Sequence, residues 1–158
     1  MTDPLAIHTA ALRKRSDAID ALGGLDLSVP SGSIFGFLGR NGAGKTTTIK
    51  LLLGLARPTA GQAHVLGLDA TDPQASVTIR QRTAFVSEDK DLIDSMTVDG
   101  IVAFTAAFFS TWRQDLERRY RRQFDLRGDQ RVKTLSRGAR SKLALLYAAA
   151  LNCAHQDF

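Results

Sequence analysis

Between Ser33 and Gly39 the chain reads SIFGFLG, a nearly continuous apolar run, and it passes straight into RNGAGKTTTIKLLLGLA, where apolar residues recur at helical spacing. The first pattern predicts a strand buried on both faces of a parallel sheet, since half-buried strands alternate apolar with polar residues. The second predicts a helix that stops near Gly54 and Pro58. Ahead of them, AIHTAALRKR and GLDLSVPSG are short β-like pieces, the second closed by the turn at Pro30, Ser31 and Gly32. Together they predict a small antiparallel layer. Further on, QAHVLG and TAFVSE predict two more short strands. Between them lies TDPQASVTIRQR, where Asp72 is placed to cap a helix carrying Pro73 in its first turn.

From Thr97 to Phe124 the pattern predicts two helices, TVDGIVAFTAAFFS and WRQDLERRYRRQF, with a break near Ser110 and Thr111. Phe104 and Phe108 share one helical face at i and i+4 and are expected to pack within this helical region rather than to dock a partner. TLSRGARSKLALLYAAAL predicts a last helix with Ser136 as its N-cap. Strand, helix and strand, then a helical insert and a returning helix, imply an α/β core with a helical subdomain.

Composition narrows the picture only a little. A chain of 158 residues fits one domain, and a formal charge of +5 favours anionic partners without choosing among them. ERRYRRQF, residues 117–124, is read as a solvated helix face, since it is short and lacks a nucleic-acid reading motif. The single Cys153 cannot close an internal disulfide, which suits a reducing compartment. The N-terminus lacks a secretory apolar region, and IVAFTAAFF is far short of the roughly 20 residues that span a bilayer. A soluble, cytoplasmic chain is expected. His8, His64 and His155 are scattered with no metal-ligand spacing.

The chemistry is concentrated in GRNGAGKT, Gly39 to Thr46, which matches G-x-x-x-x-G-K-[ST]. After a strand and at the start of a helix, such a loop aims unpaired backbone N–H groups and a helix terminus at an anion. Gly39, Gly42 and Gly44 let the backbone turn tightly and approach phosphate oxygens, with Asn41 and Ala43 completing the loop. Lys45 supplies a point charge for the β and γ phosphates, Thr46 a hydroxyl for Mg²⁺, and Thr47 a further hydroxyl near the phosphates. A nucleotide polyphosphate with Mg²⁺ is the expected ligand, and the loop alone fits a kinase, a GTPase, a motor or a transporter ATPase, of which the last would bind ATP.

A second motif selects among phosphate-binding machines. LSRGAR, Leu135 to Arg140, resembles the signature of the ABC ATPase family, usually read LSGGQ. LDLSVPSGSIFGFLGRNGAGKTTTIKLLLGLARPTAGQAHVLG and MTVDG are also similar to that family, so the resemblance runs from about Ala6 to Leu151. TWRQD and LSRGARSKLAL are similar to the exporter-type subgroup. The resemblance implies a P-loop NTPase fold of α/β class, an ABC nucleotide-binding domain with a small antiparallel β layer and a helical subdomain. Its parts would be the P-loop core and β layer over about 1–90, the helical subdomain over about 91–135, and the signature helix with the return to the core over 136–158. It implies that Ser136 and Gly138, beside Leu135, contact the γ-phosphate of an ATP on a second copy, giving a head-to-tail dimer. A membrane permease is the other implied partner, and the assembly would sit peripherally on the inner face of the plasma membrane. No nucleic acid is expected.

The sequence departs from the family at three places. The aromatic residue that stacks on adenine is replaced by Ser16, which forfeits about 1 kcal/mol or more of stacking. The Q-loop glutamine that senses Mg²⁺ is replaced by Glu88, whose carboxylate can still reach a metal or orient water. Arg137 and Ala139 replace a glycine and a glutamine of the signature. The family's Mg²⁺-holding Asp, the Glu that polarises water and the switch His have no counterpart in these residues, so no catalytic residue is assigned. Hydrolysis by this chain alone is not expected, and the core sheet is expected to be incomplete, cut before the strand that carries those carboxylates. IFGFL would then expose apolar surface and leave the chain marginally stable or aggregation-prone. A non-hydrolysing module that regulates a full-length ATPase, or a nucleic-acid-associated ABC protein, would be the alternatives.

Overall fold

The computed structural model describes residues 4–16, 19–87 and 92–151. It divides into two compact units, one up to Arg80 and one from Gln81 onward. The second holds both the helical insert and the helix after the signature.

In the first unit, β1 (Leu5–Ser16) and β2 (Ile19–Pro30) form a long antiparallel hairpin. They are joined by β3 (Ala60–Val65) and the two-residue β4 (Leu68–Asp69) in a four-stranded sheet of order β2-β1-β3-β4. The expected antiparallel layer is there, and QAHVLG joins it as β3. Alternation decides the faces: Thr9, Leu12, Val29, Ala63 and Val65 are buried, while His8, Ser28 and Gln62 are turned to the other side and exposed or half-exposed. A bulge around Ala10 and Ala11 shifts the register of β1 against both neighbours. Gly61 accommodates it, with φ +81° and room for no Cβ beside the Ala11 carbonyl.

Helix α1 (Lys45–Leu52) packs Leu51 and Leu52 on this sheet with Leu12, Ala63, Val65, Ala70 and Ile79. It ends where the sequence predicts, at Gly54 with φ +64°, a left-handed C-terminal residue that glycine adopts without a Cβ penalty. Helix α2 (Pro73–Arg82) has the expected cap: Asp72 Oδ1 accepts the Ala75 N–H at 2.7 Å.

Two expected strands are corrected. Residues 33–40 and 83–87 form neither helix nor strand. In place of a buried parallel strand, Ile34 and Leu38 are almost fully exposed and Phe35 and Phe85 about half exposed. A strand exists only with a neighbouring strand to take its N–H and C=O groups, and among the described residues no ladder includes these segments. The apolar exposure expected of IFGFL is thus observed.

The second unit is helical: α3 (Val98–Ala106), α4 (Gln114–Gln123), a 3₁₀ turn (Val132–Thr134) and α5 (Arg137–Ala150). The predicted break between the first two is present, and Thr97 caps α3 by accepting the Gly100 N–H. Its core gathers Val98, Ile101, Val102, Leu126, Val132, Leu135, Leu143 and Leu146. Phe104 and Phe108 correct the expectation of internal packing. Their rings meet edge to face at 5.1 Å, but they are 46% and 65% exposed, because the buried side of α3 is filled by Val98, Ile101 and Val102. In α4, Arg118, Arg119 and Arg122 face solvent as expected. Arg121 instead turns inward to pair with Asp99 and Glu117, and Glu117 also accepts the Trp112 indole N–H at 2.8 Å.

Candidate functional site

The loop from Gly39 to Gly44 is a strained turn held by short-range contacts. Ala43 N–H donates to the Arg40 carbonyl at 3.1 Å, and Gly42 and Gly44 both have φ +83°. A Cβ on Gly44 would lie 2.5 Å from the Ala21 carbonyl oxygen and 3.4 Å from Leu22 Cδ1, so this turn rests directly on the backbone of β2. A Cβ on Gly39 would come within 3.2 Å of Ala43 Cβ. The loop is closed tightly enough that glycine is required at one position by space and at two by φ.

Gly44 is also the N-cap of α1, in left-handed conformation and without a side chain to bond the first turn. The first helical hydrogen bonds are those of Thr48, whose N–H and hydroxyl both donate to the Gly44 carbonyl at 2.8 and 2.9 Å. The amides of Lys45, Thr46 and Thr47 precede that closure and have no intrahelical acceptor. Lys45 folds back over the loop, its Nζ donating to the carbonyls of Gly39 at 2.6 Å and Arg40 at 2.8 Å. The ammonium thus sits at the mouth of the turn, with the exposed Thr46 and half-buried Thr47 beside it. The donor set is an ammonium, main-chain N–H groups and two hydroxyls, with no carboxylate of Gly39–Thr47 among them. Such a set fits the oxygens of a polyphosphate and repels a cation, except at the Thr46 hydroxyl, which can be a metal ligand.

Ser16 lies exposed at the end of β1, paired with Ile19 across the hairpin. That end of the hairpin runs into Ala21 and Leu22, on which the Gly44 turn rests, so Ser16 and the phosphate loop belong to one neighbourhood. Glu88 lies outside the described residues.

In the second unit, Leu135 is buried in the helical core and anchors the signature. Ser136 is the N-cap expected, accepting the Ala139 N–H at 3.1 Å. Its hydroxyl proton is left to donate outward. A Cβ on Gly138 would meet nothing closer than Ser136 Oγ at 3.9 Å. Among the described residues nothing requires glycine there, and Ser136 and Gly138 are both exposed. Ser136→Ala is expected to cost about 1 kcal/mol through the lost cap alone, read as a lower urea midpoint without nucleotide.

Sequence reasoning missed one association. His8 stands directly opposite His64 in the β1–β3 ladder. The contact is made by strand register, so residue spacing along the chain carries no sign of it.

The model of the ABC transporter family matches residues 22–154. The daunorubicin/doxorubicin resistance ATP-binding protein DrrA of Streptomyces peucetius is 41% identical over 92 residues, 58% of this chain and 27% of that protein. The methionine import ATP-binding protein MetN 1 of Rhodopseudomonas palustris (strain ATCC BAA-98 / CGA009) is 33% identical over 145 residues, 87% of this chain and 39% of its own length. A solved ATP-binding subunit of an ABC transporter superposes with a TM-score of 0.81 at 26% identity, covering 93% of this chain and 62% of that one. The chain thus spans well under half the length of these two curated relatives. Since the matched stretch takes in the glycine turn on β2, the uncapped start of α1 and the Ser136 cap alike, this chain belongs to the ABC transporter family, as part of its P-loop ATP-binding domain.

Proposed function

We propose that this chain grips the phosphates of MgATP as part of an ATP-binding subunit that drives a membrane permease. The observation that carries the reading is the Gly44 turn: it opens α1 with uncapped amides while Lys45 Nζ is held over the same loop. Nucleotide phosphates would take Lys45 from the Gly39 and Arg40 carbonyls and meet the amides around Ala43 to Thr47 together with the Thr47 hydroxyl. Mg²⁺, when bound, would offset the charge of the phosphate oxygens. Thr46 would hold it by its hydroxyl, with Glu88 as the second protein group. Ser16, without a ring, leaves adenine weakly held.

Ser136 and Gly138 would serve a phosphate on a second copy in a head-to-tail dimer. Their exposure supports this, since a hydroxyl and bare amides at a helix start form an anion site only where an anion can approach. The exposed Phe104 and a groove of about 280 Å³ lined by Phe85, Ile93, Phe104 and Tyr147 offer the second unit an apolar surface for a permease segment. No helix of the described residues is long and apolar enough to cross a membrane, so attachment on the inner face would run through that partner. The two relatives are named for import and for drug resistance. The export-type placement therefore rests on TWRQD and LSRGARSKLAL alone.

Titration calorimetry of this chain with ATP and Mg²⁺ tests the reading. Binding is the quantity to measure, because the strand-end carboxylates that the resemblance requires for turnover are not in this sequence. Lys45→Ala removes charge-assisted hydrogen bonds of about 1.5–3 kcal/mol, so affinity should fall roughly 10- to 100-fold at unchanged far-UV circular dichroism. Equal affinity in the two proteins would overturn it.

A further inference from the structure

We propose that His8 and His64 form a binding site for a divalent transition-metal ion, Cu²⁺ above the others, on the outer face of the β layer. The four strands align one transverse row in register: Ser28 opposite His8, His8 opposite His64, and His64 opposite Asp69. Directly opposed residues of antiparallel strands project to the same face with Cβ atoms about 4.5–5.5 Å apart. The buried Thr9, Ala63 and Val65 occupy the alternate positions and face the core. Both histidines therefore lie on the face away from it, His8 exposed and His64 half-exposed.

This spacing lets two rings from neighbouring strands turn one nitrogen each toward a common ion, at about 2 Å from each. The surroundings help in two ways. His8 Nδ1 lies 3.2 Å from Ser28 Oγ. With the proton on Nδ1 and Ser28 accepting it, the ring is oriented and Nε2 is left as the metal ligand. Asp69 Oδ1 accepts both the N–H and the hydroxyl of Thr71, at 2.8 and 2.7 Å, which fixes a negative charge across the ladder from His64. Among the described residues no three His, Cys, Asp or Glu side chains converge as a ligand set. The site is thus a pair of nitrogens completed by water, and imidazole donors in such a site favour Cu²⁺ by the usual order of divalent affinities, with Ni²⁺ and Zn²⁺ weaker. A bound ion would tie β1 to β3 and stabilise the folded sheet by mass action.

The test is a Cu²⁺ titration of the whole chain in nucleotide-free, non-chelating buffer, followed by calorimetry and by the metal-induced rise in melting temperature. Binding at one site and a rise in melting temperature are expected for the native chain and for Lys45→Ala, which keeps this outcome separate from that of the nucleotide site. Both signals should be lost in His8→Gln and in His64→Gln, and the metal-free melting temperature of His8→Gln should match the native one because its side chain is exposed. Absence of binding in the native chain would overturn the assignment. Binding that survives both histidine substitutions, or that is lost only in Cys153→Ser or His155→Gln, would overturn it as well.

Discussion

Gly44→Ala is expected to abolish ATP binding and to lower the stability of the first unit by about 2–5 kcal/mol, the sum of a left-handed backbone imposed on alanine and an overpacked contact. The added methyl would stand 2.5 Å from the Ala21 carbonyl oxygen, a backbone atom that no rotamer change can move. Relief requires the turn to lift off β2, and the amides after Gly44 then lose their common aim. Gly42 supplies the control, having the same φ of +83° but open space where its Cβ would be. Gly42→Ala should therefore incur the conformational cost without the clash. Thermal melts and nucleotide titrations of the two variants check the ordering. A Gly44→Ala protein as stable and as tightly binding as Gly42→Ala would show that the turn does not rest on β2.

Leu143→Ala should be among the most damaging single truncations in the second unit. Leu143 has no exposed surface and packs with Val98, Ile101, Val132, Leu135 and Leu146. Truncating such a leucine costs about 2–5 kcal/mol, the spread depending on how far the site collapses. Against a usual total of about 5–15 kcal/mol for a domain, that is a large fraction. The lesion lies two turns along α5 from Ser136, so the signature end of the helix should lose order together with the core. Urea denaturation gives the size of the effect, and hydrogen exchange along α5 shows whether its amides open. Leu145, half exposed on the other side of the same helix, should tolerate alanine within about 0.5 kcal/mol. Equal midpoints for the two variants would refute the assigned core.

What was legible in the sequence was what neighbours along the chain decide. The glycine pattern of GRNGAGKT, the end of α1 at Gly54 and the caps at Asp72 and Ser136 follow from residue types within a few positions of one another. The family resemblance lay in the same local motifs, the phosphate loop complete and the signature keeping Ser136 and Gly138. Ladder partners and burial come from residues far away in sequence, and only the tertiary structure decided them. It left Ile34 and Leu38 uncovered, in a segment that no ladder among the described residues includes. It turned Phe104 and Phe108 outward because Val98, Ile101 and Val102 had filled the core side of α3. It also set His8 against His64, which spacing along the chain had left as scattered residues, because a strand's register depends on its partner.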